Sequence, residues 1–165
     1  MKELNKKLYE GYLEEKKSQF YSSLHHVETE EEIQELLQEY RKKHQKANHV
    51  VYAYRIGHDD VKSFCSDDGE PSQTSGAPML TVLTEEGITN VLGIVVRYFG
   101  GTKLGKGGLI RAYSGALKEA LSHATFKRVI EVIPTLYHYE YSYHTPIERL
   151  LDAKRIEGIN YDDKV

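Results

Sequence analysis

The sequence predicts a mixed α/β fold, because apolar residues recur at helical spacing in some stretches and in strand-like runs in others. Helical spacing is clearest at 30–45 and 107–123, whereas Asn90–Tyr98 is a nearly continuous apolar run. Of the 165 residues, 39% are hydrophobic and 28% are charged, which is typical of a soluble globular domain. A chain of this length can bury a core without disulfides, and its single cysteine, Cys65, excludes an internal one.

The N-terminal half predicts strands on both sides of one helix. Tyr9–Val27 alternates and carries aromatic residues, which indicates two short strands or one bent strand. A capping box formed by Thr29 and Glu32 opens an amphipathic helix over 30–45. The next stretches, His49–Ile56 and Val61–Ser66, are predicted to form a hairpin of two strands.

The C-terminal half predicts a helix, a central strand, a second helix and a further strand. The first helix lies within Thr74–Glu86 and begins at or just before Pro78. Asn90–Tyr98 is predicted to be a central buried strand, and Phe126–Ile133 another strand. Between them, the helix Gly107–His123 has an apolar side formed by Leu109, Ile110, Tyr113, Leu117 and Leu121.

Pro134 marks a predicted domain boundary, which gives a domain over 1–133 and a segment over 134–165. In that segment, Thr135–Tyr143 alternates as a strand, and a helix is predicted over Ile147–Lys154. About thirty residues are too few for an independent core. The segment is therefore expected either to pack on the main domain or to be the opening of a second one.

Composition also indicates where the protein works. Residues 1–17 lack the apolar segment of a signal peptide, and no apolar run approaches bilayer length. With a single cysteine, a reducing compartment fits. We therefore expect a cytoplasmic protein with no membrane partner.

Charge is distributed unevenly, although the net charge is only −3. Residues 28–39 hold six glutamates, whereas residues 87–118 hold no acid and five cations. This distribution predicts a polarised surface, with one face able to attract anions.

The strongest functional signal is the basic, glycine-rich loop Gly100–Gly108, between a predicted strand and a predicted helix. Glycines let backbone N–H groups converge, and the helix N-terminus and lysines add positive charge. Gly107 stands where a nucleotide-binding P-loop needs Ser or Thr for magnesium, which argues against a nucleoside triphosphatase. The predicted anion- or nucleic-acid-binding residues are Arg97, Gly100, Gly101, Lys103, Lys106, Gly107, Gly108 and Arg111. The alternative is that the glycines only permit close packing and the lysines are solvated.

A second signal is the acidic turn, Asp67, Asp68 and Glu70. These carboxylates could act as acid and base or hold a divalent cation, but they lack the spacing of a calcium loop. The simpler reading is a turn stabilised by Asx hydrogen bonds. A third reading is that the turn forms an internal salt bridge with Arg97 or Arg111, which would fasten the two unusual segments together.

Other chemistry has weaker support. Cys65 is more typical of a small buried apolar residue than of a nucleophile with His44 or His49 as its base. The histidines show no zinc-ligand spacing. We expect no metal and no cofactor. Tyrosines interleaved with cations can stack on bases, but core and rim packing is the favoured interpretation.

Several motifs also resemble those of the YigZ/IMPACT family. They include residues 17–20 (KSQF), 52–57 (YAYRIG), 67–72 (DDGEPS), 95–105 (VVRYFGGTKLG) and 107–116 (GGLIRAYSGA). The resemblance spans roughly residues 10–125. The chain departs from the family pattern at Val50 and Val51, which replace an Asn-Cys pair.

The resemblance implies an α/β two-layer sandwich, like the second domain of a small-subunit ribosomal protein. It implies a four-stranded sheet with two helices on one face, followed by a ferredoxin-like domain that looks shortened and incomplete here. It also implies a link to translation, since eukaryotic relatives are implicated in restraining a stress-activated translation kinase.

The sequence therefore predicts a non-enzymatic regulatory module of translation or the stress response. It would bind RNA, the ribosome or a translation-related protein through the basic loop. The alternative is a hydrolase- or peptidase-like enzyme that acts on a small anionic ligand at Asp67–Glu70 and Gly100–Gly108. The residues do not predict an oligomeric state.

Overall fold

The computed structural model describes residues 1–130, 136, 138–143 and 145–146. The chain divides into two compact units, Met1–Ile130 and Glu131–Val165, whereas the sequence predicts a boundary after residue 133. The nature of the second unit as an incomplete ferredoxin-like segment stays a prediction. No helix among the described residues has both the length and the apolar character needed to cross a membrane.

The first unit is built on a five-stranded antiparallel sheet and a separate two-stranded one. In chain order the elements are β1 (Lys2–Leu4), β2 (Leu8–Glu15), β3 (Ser18–His26), α1 (Glu30–Lys43), β4 (His49–Ile56), β5 (Lys62–Ser66), α2 (Gly76–Glu85), β6 (Val91–Tyr98), α3 (Gly105–Ser122) and β7 (Phe126–Arg128). The large sheet has the order β2-β3-β6-β4-β5, and β1 pairs with β7. Strand β6 is central and almost wholly buried, which confirms the prediction from its apolar run.

Helices cover both faces of the large sheet. Since side chains alternate along a strand, β6 supplies two cores at once. Val91 and Val95 pack with α2 and α3, whereas Leu92 and Ile94 pack with Ile33 of α1 and its neighbours. The first unit is thus mixed α/β with three helices.

One expectation from the family resemblance needs correction, because the large sheet has five strands instead of four. The two helices expected on one face are α2 and α3, and α1 is a further helix on the opposite face. The fifth strand arises because Tyr9–Val27 forms two full strands, β2 and β3, paired along their whole length from Leu8↔His25 to Glu15↔Ser18. The residue pattern alone allowed for this pair of strands.

A local signal predicted the start of α1, whereas α3 begins at Gly105, two residues before its predicted start. Thr29 caps α1 by accepting from the N–H of Glu32 at 3.3 Å, as the capping box predicts. Ile110 is an exception on α3: it was predicted to lie on the apolar side, but it is 41% exposed.

Strand β1 had no counterpart in the sequence analysis. It is anchored by Glu3, which is only 7% exposed. The Glu3 carboxylate accepts from His58 Nε2 at 2.6 Å, from Asn90 Nδ2 at 2.9 Å and from His26 Nε2 at 3.1 Å. Burial acts to raise the pKa of Glu3, but these hydrogen bonds together outweigh it, so the pKa lies below its ordinary value.

Strand predictions near the boundary fit less well. The strand predicted over Phe126–Ile133 ends at Arg128. In the second unit, Tyr141–Tyr143 form a short 3-10 helix instead of the end of the strand predicted over Thr135–Tyr143. Residues 135 and 137 of that strand, and the helix predicted over Ile147–Lys154, lie outside the described residues.

Candidate functional site

The first carboxylate of the acidic turn, Asp67, caps helix α2 from outside it. Its Oδ1 accepts from the N–H groups of Gly76 at 2.9 Å and Ser75 at 3.2 Å, and its Oδ2 accepts from Gln73 N–H at 3.0 Å. The side chain of Ser75, at the N-cap position, makes no capping bond. Asp67 therefore satisfies the N–H groups that the helix leaves free and places a negative charge at its positive end.

The second carboxylate, Asp68, holds the turn against β4. Its Oδ2 accepts from the N–H of Val50 at 2.7 Å, and its carbonyl oxygen accepts from His49 Nδ1 at 2.8 Å. Asp68 and Gly69 both have positive φ, 43° and 86°, as in a type I′ turn, where Asp-Gly is favoured. This carboxylate, too, has a structural role.

Glu70 forms a buried ion pair with Arg97. Arg97 Nη1 donates to Glu70 Oε1 at 2.6 Å, and the two side chains are 6% and 3% exposed. The hydroxyl of Tyr113 donates to the same oxygen at 2.7 Å, and His49 Nε2 lies 3.5 Å from it. Burial, then the hydrogen bond and charge of Glu70, raise the pKa of Tyr113 well above its ordinary value. We call Glu70, Arg97 and Tyr113 the buried brace.

The surroundings of Arg97 confirm its internal role. Its guanidinium lies over the rings of Phe20 and Phe99, with its carbon 5.5 and 5.6 Å from the ring centroids. Its Nη2 donates to Ser18 Oγ at 3.3 Å. Of the two sequence-based interpretations of Arg97, a contact to an external anion or a salt bridge to the acidic turn, the structure has the salt bridge.

Gly100 brings the basic loop directly onto the β2–β3 turn. A Cβ at Gly100 would lie 2.1 Å from the carbonyl carbon of Lys17, so no side chain fits there. The Gly100 N–H also donates to Ser18 Oγ at 3.1 Å. Gly101 and Gly105 have positive φ, 95° and 74°, with open space around them. Backbone geometry therefore explains the presence of these three glycines without a ligand.

The N-terminus of α3 is open. The N-cap residue, Leu104, makes no side-chain capping bond, and the first turn contains no acid. Lys103, Lys106 and Arg111 are exposed, and none of them has an ion-pair partner among the described residues. Gly107 and Gly108 lie in this first turn, and the Arg111 guanidinium lies over Gly107. The structure thus brings five predicted residues together at one helix end.

The β2–β3 turn adds cations that sequence reasoning missed. Lys16 and Lys17 form its two central residues with positive φ, 46° and 63°. A cleft of about 180 Å³ separates this hairpin from α3, lined by Leu13, Glu15, Lys16, Leu104, Gly108, Arg111 and Ala112. The sequence signal for this turn was the Lys-Lys pair between two alternating segments. The signal was weak, because two-residue hairpin turns favour Asn-Gly or Asp-Gly. We call Lys16, Lys103, Lys106 and Arg111 the basic surface.

The structure offers little support for a catalytic site at Cys65 or at the acidic turn. Cys65 is half-buried, and burial, then the charge of Asp67, raise the pKa of its thiol, which disfavours the reactive thiolate. Within the described residues, no group of three or more His, Cys, Asp or Glu side chains is arranged to hold a metal ion. The acidic turn is engaged as an internal acceptor at all three of its carboxylates.

Fold and site together define an antiparallel α/β domain with an internal acidic turn and a solvent-facing basic loop. This chain belongs to the IMPACT family: the family model for the Impact N-terminal domain matches residues 16–121. The match confirms the resemblance seen in the motifs, which lie in and around this range.

Relatives and a solved structure agree with this assignment. IMPACT family member YvyE of Bacillus subtilis is 39% identical over 153 residues, which are 90% of this chain and 70% of that protein. IMPACT family member YigZ of Escherichia coli is 38% identical over 149 residues, 89% of this chain and 73% of that protein. A crystal structure described as a hypothetical protein covers 98% of this chain and 80% of its own, with a TM-score of 0.73 and 34% identity.

Proposed function

We propose that this chain is a non-enzymatic regulatory module of translation or the stress response, which binds RNA, free or in the ribosome, through the basic surface. Membership of the IMPACT family supports the link to translation. The observation that carries the binding proposal is the set of exposed cations, unpaired within the described residues, at the uncapped N-terminus of α3. Lysines without an internal partner can neutralise phosphates and release counterions, which is the main source of affinity for nucleic acids.

Arg97 is not part of this proposed surface. A phosphate could reach its guanidinium only by separating it from Glu70, with which it shares a site almost closed to solvent. Lys103 and Lys106 lie in exposed positions and need no such separation. The proposal therefore rests on the lysines and Arg111, with Gly107 as exposed backbone beside them.

The test is a salt titration of binding to fluorescent single-stranded and duplex RNA, read by anisotropy. We expect the double variant Lys103→Ala/Lys106→Ala to bind about tenfold more weakly and to have a shallower dependence on salt, by roughly 0.7–0.9 per lost phosphate contact. The matched control is Lys42→Ala/Lys43→Ala, which removes two exposed lysines from the last turn of α1, on the opposite face of the sheet.

The outcomes separate the alternatives. Equal loss in both double variants would mean that only net charge matters, and the basic surface would have no special role. An absence of RNA binding, together with loop-dependent binding to a translation protein, would move the proposal to a protein partner. No observation favours the hydrolase- or peptidase-like alternative, because the acidic turn is committed to internal hydrogen bonds.

A further inference from the structure

Helix α1 leaves part of its sheet face uncovered. Toward the edge strand β2, Tyr12 and Tyr21 are 45% and 41% exposed. They are cross-strand partners, with ring centroids 5.1 Å apart, and Tyr98 meets Tyr21 edge-on at 6.0 Å. Tyr98 is fixed in turn, since its hydroxyl lies 2.7 Å from Nδ1 of His44, the residue that caps α1. Two adjacent tyrosine rings are thus held open to solvent on a rigid sheet.

Carboxylates flank Tyr12 on its strand, and another lies on the adjoining helix α1. Glu10 and Glu14 flank Tyr12 on β2 and point to the same side, because side chains alternate along a strand. Glu39 lies on α1 next to Tyr40, and the Tyr40 hydroxyl donates to Ser23, the cross-strand partner of Glu10. All three glutamates are exposed, and none has an ion-pair partner among the described residues. We call Tyr12, Tyr21, Glu10, Glu14 and Glu39 the tyrosine face.

The charge of the tyrosine face decides what it can bind. Exposed aromatic rings on a sheet often stack on bases, but three unpaired carboxylates would repel the phosphates of an RNA strand. A positively charged group with a flat apolar surface fits both features. The arginine guanidinium is such a group, because it stacks on aromatic rings and also bonds carboxylates through two parallel N–H groups. Lysine matches the charge but not the planar shape.

We propose that the tyrosine face is a docking site for an arginine-bearing segment of a partner protein. This goes beyond RNA binding at the basic surface, because the two surfaces have opposite charge and lie on opposite faces of the sheet. Tyr12 and Tyr21 supply the stacking platform, and the three glutamates supply the charge. The cations of a second copy of this chain fit less well, since three of the four residues in its basic surface are lysines.

The test compares hexa-arginine and hexalysine peptides, which carry equal charge, in an NMR titration of the full chain at fixed salt. We expect hexa-arginine to shift the resonances of Tyr12 and Tyr21 and to bind at least fivefold more tightly than hexalysine. Tyr12→Leu/Tyr21→Leu keeps apolar bulk but removes the rings, and it should weaken hexa-arginine about tenfold and remove its advantage over hexalysine. Phe64→Ala, at an exposed aromatic on the far edge strand β5, should leave both affinities unchanged.

A second pair of variants tests the role of the carboxylates in the tyrosine face. Glu10→Gln/Glu14→Gln should weaken both peptides and flatten the salt dependence, whereas Glu31→Gln/Glu35→Gln, at exposed positions elsewhere on α1, should have a smaller effect. Equal affinity for the two peptides, or unchanged binding in the leucine variant, would overturn the proposal. The proposal would also be overturned if oligouridine shifted the resonances of these tyrosines. It would likewise be overturned if the chain self-associated and the variant Lys103→Ala/Lys106→Ala lost that self-association.

Discussion

The buried brace makes a sharp prediction about stability, which the variant Glu70→Gln tests. Glutamine keeps an oxygen for the Tyr113 hydroxyl but removes the charge that pairs with Arg97 at 2.6 Å. Breaking a buried ion pair from one side typically costs about 3–5 kcal/mol, because the other charge stays buried without a partner. Both side chains are at least nine-tenths buried, so solvent screening reduces this cost little. We expect a loss of about 3 kcal/mol.

Urea unfolding followed by circular dichroism measures this loss. With a denaturant slope of about 2 kcal/mol per molar for a domain of this size, the midpoint should fall by roughly 1.5 M. The matched control is Glu86→Gln, which breaks an exposed pair with Lys2 at 3.2 Å and should cost about 0–1 kcal/mol.

A double-mutant cycle isolates the charge interaction. Arg97→Met alone leaves Glu70 unpaired and should also cost about 3 kcal/mol, whereas Glu70→Gln/Arg97→Met leaves no buried charge. The double variant should therefore lose clearly less than the sum of the two single variants. Additive losses, or a cost for Glu70→Gln as small as that for Glu86→Gln, would refute the buried brace as an energetic unit.

Three further predictions concern single positions. Asp67→Ala should cost about 1–2 kcal/mol in thermal unfolding, because α2 loses its cap. Gly100→Ala should destabilise more than Gly101→Ala, since its Cβ meets backbone at 2.1 Å, whereas Gly101 has only a positive φ worth about 1 kcal/mol. Burial lowers the pKa of His25 to about 4, so its protonation opposes folding. Stability should be full above pH 6.5 and fall by about 3 kcal/mol toward pH 4, and His25→Gln should flatten this profile, unlike His123→Gln.

Each of these three predictions has an outcome that would contradict it. An unchanged melting temperature in Asp67→Ala would mean that water replaces the cap without loss. Equal costs at Gly100 and Gly101 would show that the hairpin moves aside freely. A pH profile that is the same with and without His25, measured between pH 4.5 and 6.5, would mean that its ring reaches solvent. Below this window, protonation of Glu3 also lowers the stability of the fold, because its pKa is lowered in the folded state.

Elements with strong local signals were predictable from the sequence. The strand β4 has the predicted bounds, His49–Ile56, because β-branched and aromatic residues fill it without interruption. The start of α1 followed from Thr29 and Glu32, which act within one turn. The number of strands followed better from the residues than from the family resemblance. The residue pattern allowed two strands in Tyr9–Val27, and both form, whereas the resemblance implied a sheet of four strands.

Features that depend on distant partners were not predictable. Strand β1 has three residues and pairs with β7 at the other end of the first unit, and no local pattern marks a pairing of that span. Ile110 fits the helical period of the apolar side, but it lies beyond the edge of the buried stripe. Whether Arg97 would face solvent or Glu70 depended on how the turn packs against β6, so the sequence left both readings open.

The predicted site residues divide into two groups by a rule that the sequence does not contain. A charge with a buried internal partner cannot serve an external ligand without leaving that partner unpaired, at a cost of about 3–5 kcal/mol. Arg97 falls under this rule and Lys103 and Lys106 do not, since they are exposed. Glu70→Gln should therefore lower stability first, and Lys103→Ala/Lys106→Ala should lower RNA affinity at unchanged stability. If the two variants instead lose stability and affinity in the same proportion, the basic surface and the buried brace are one cooperative unit, and binding cannot be assigned to the lysines alone.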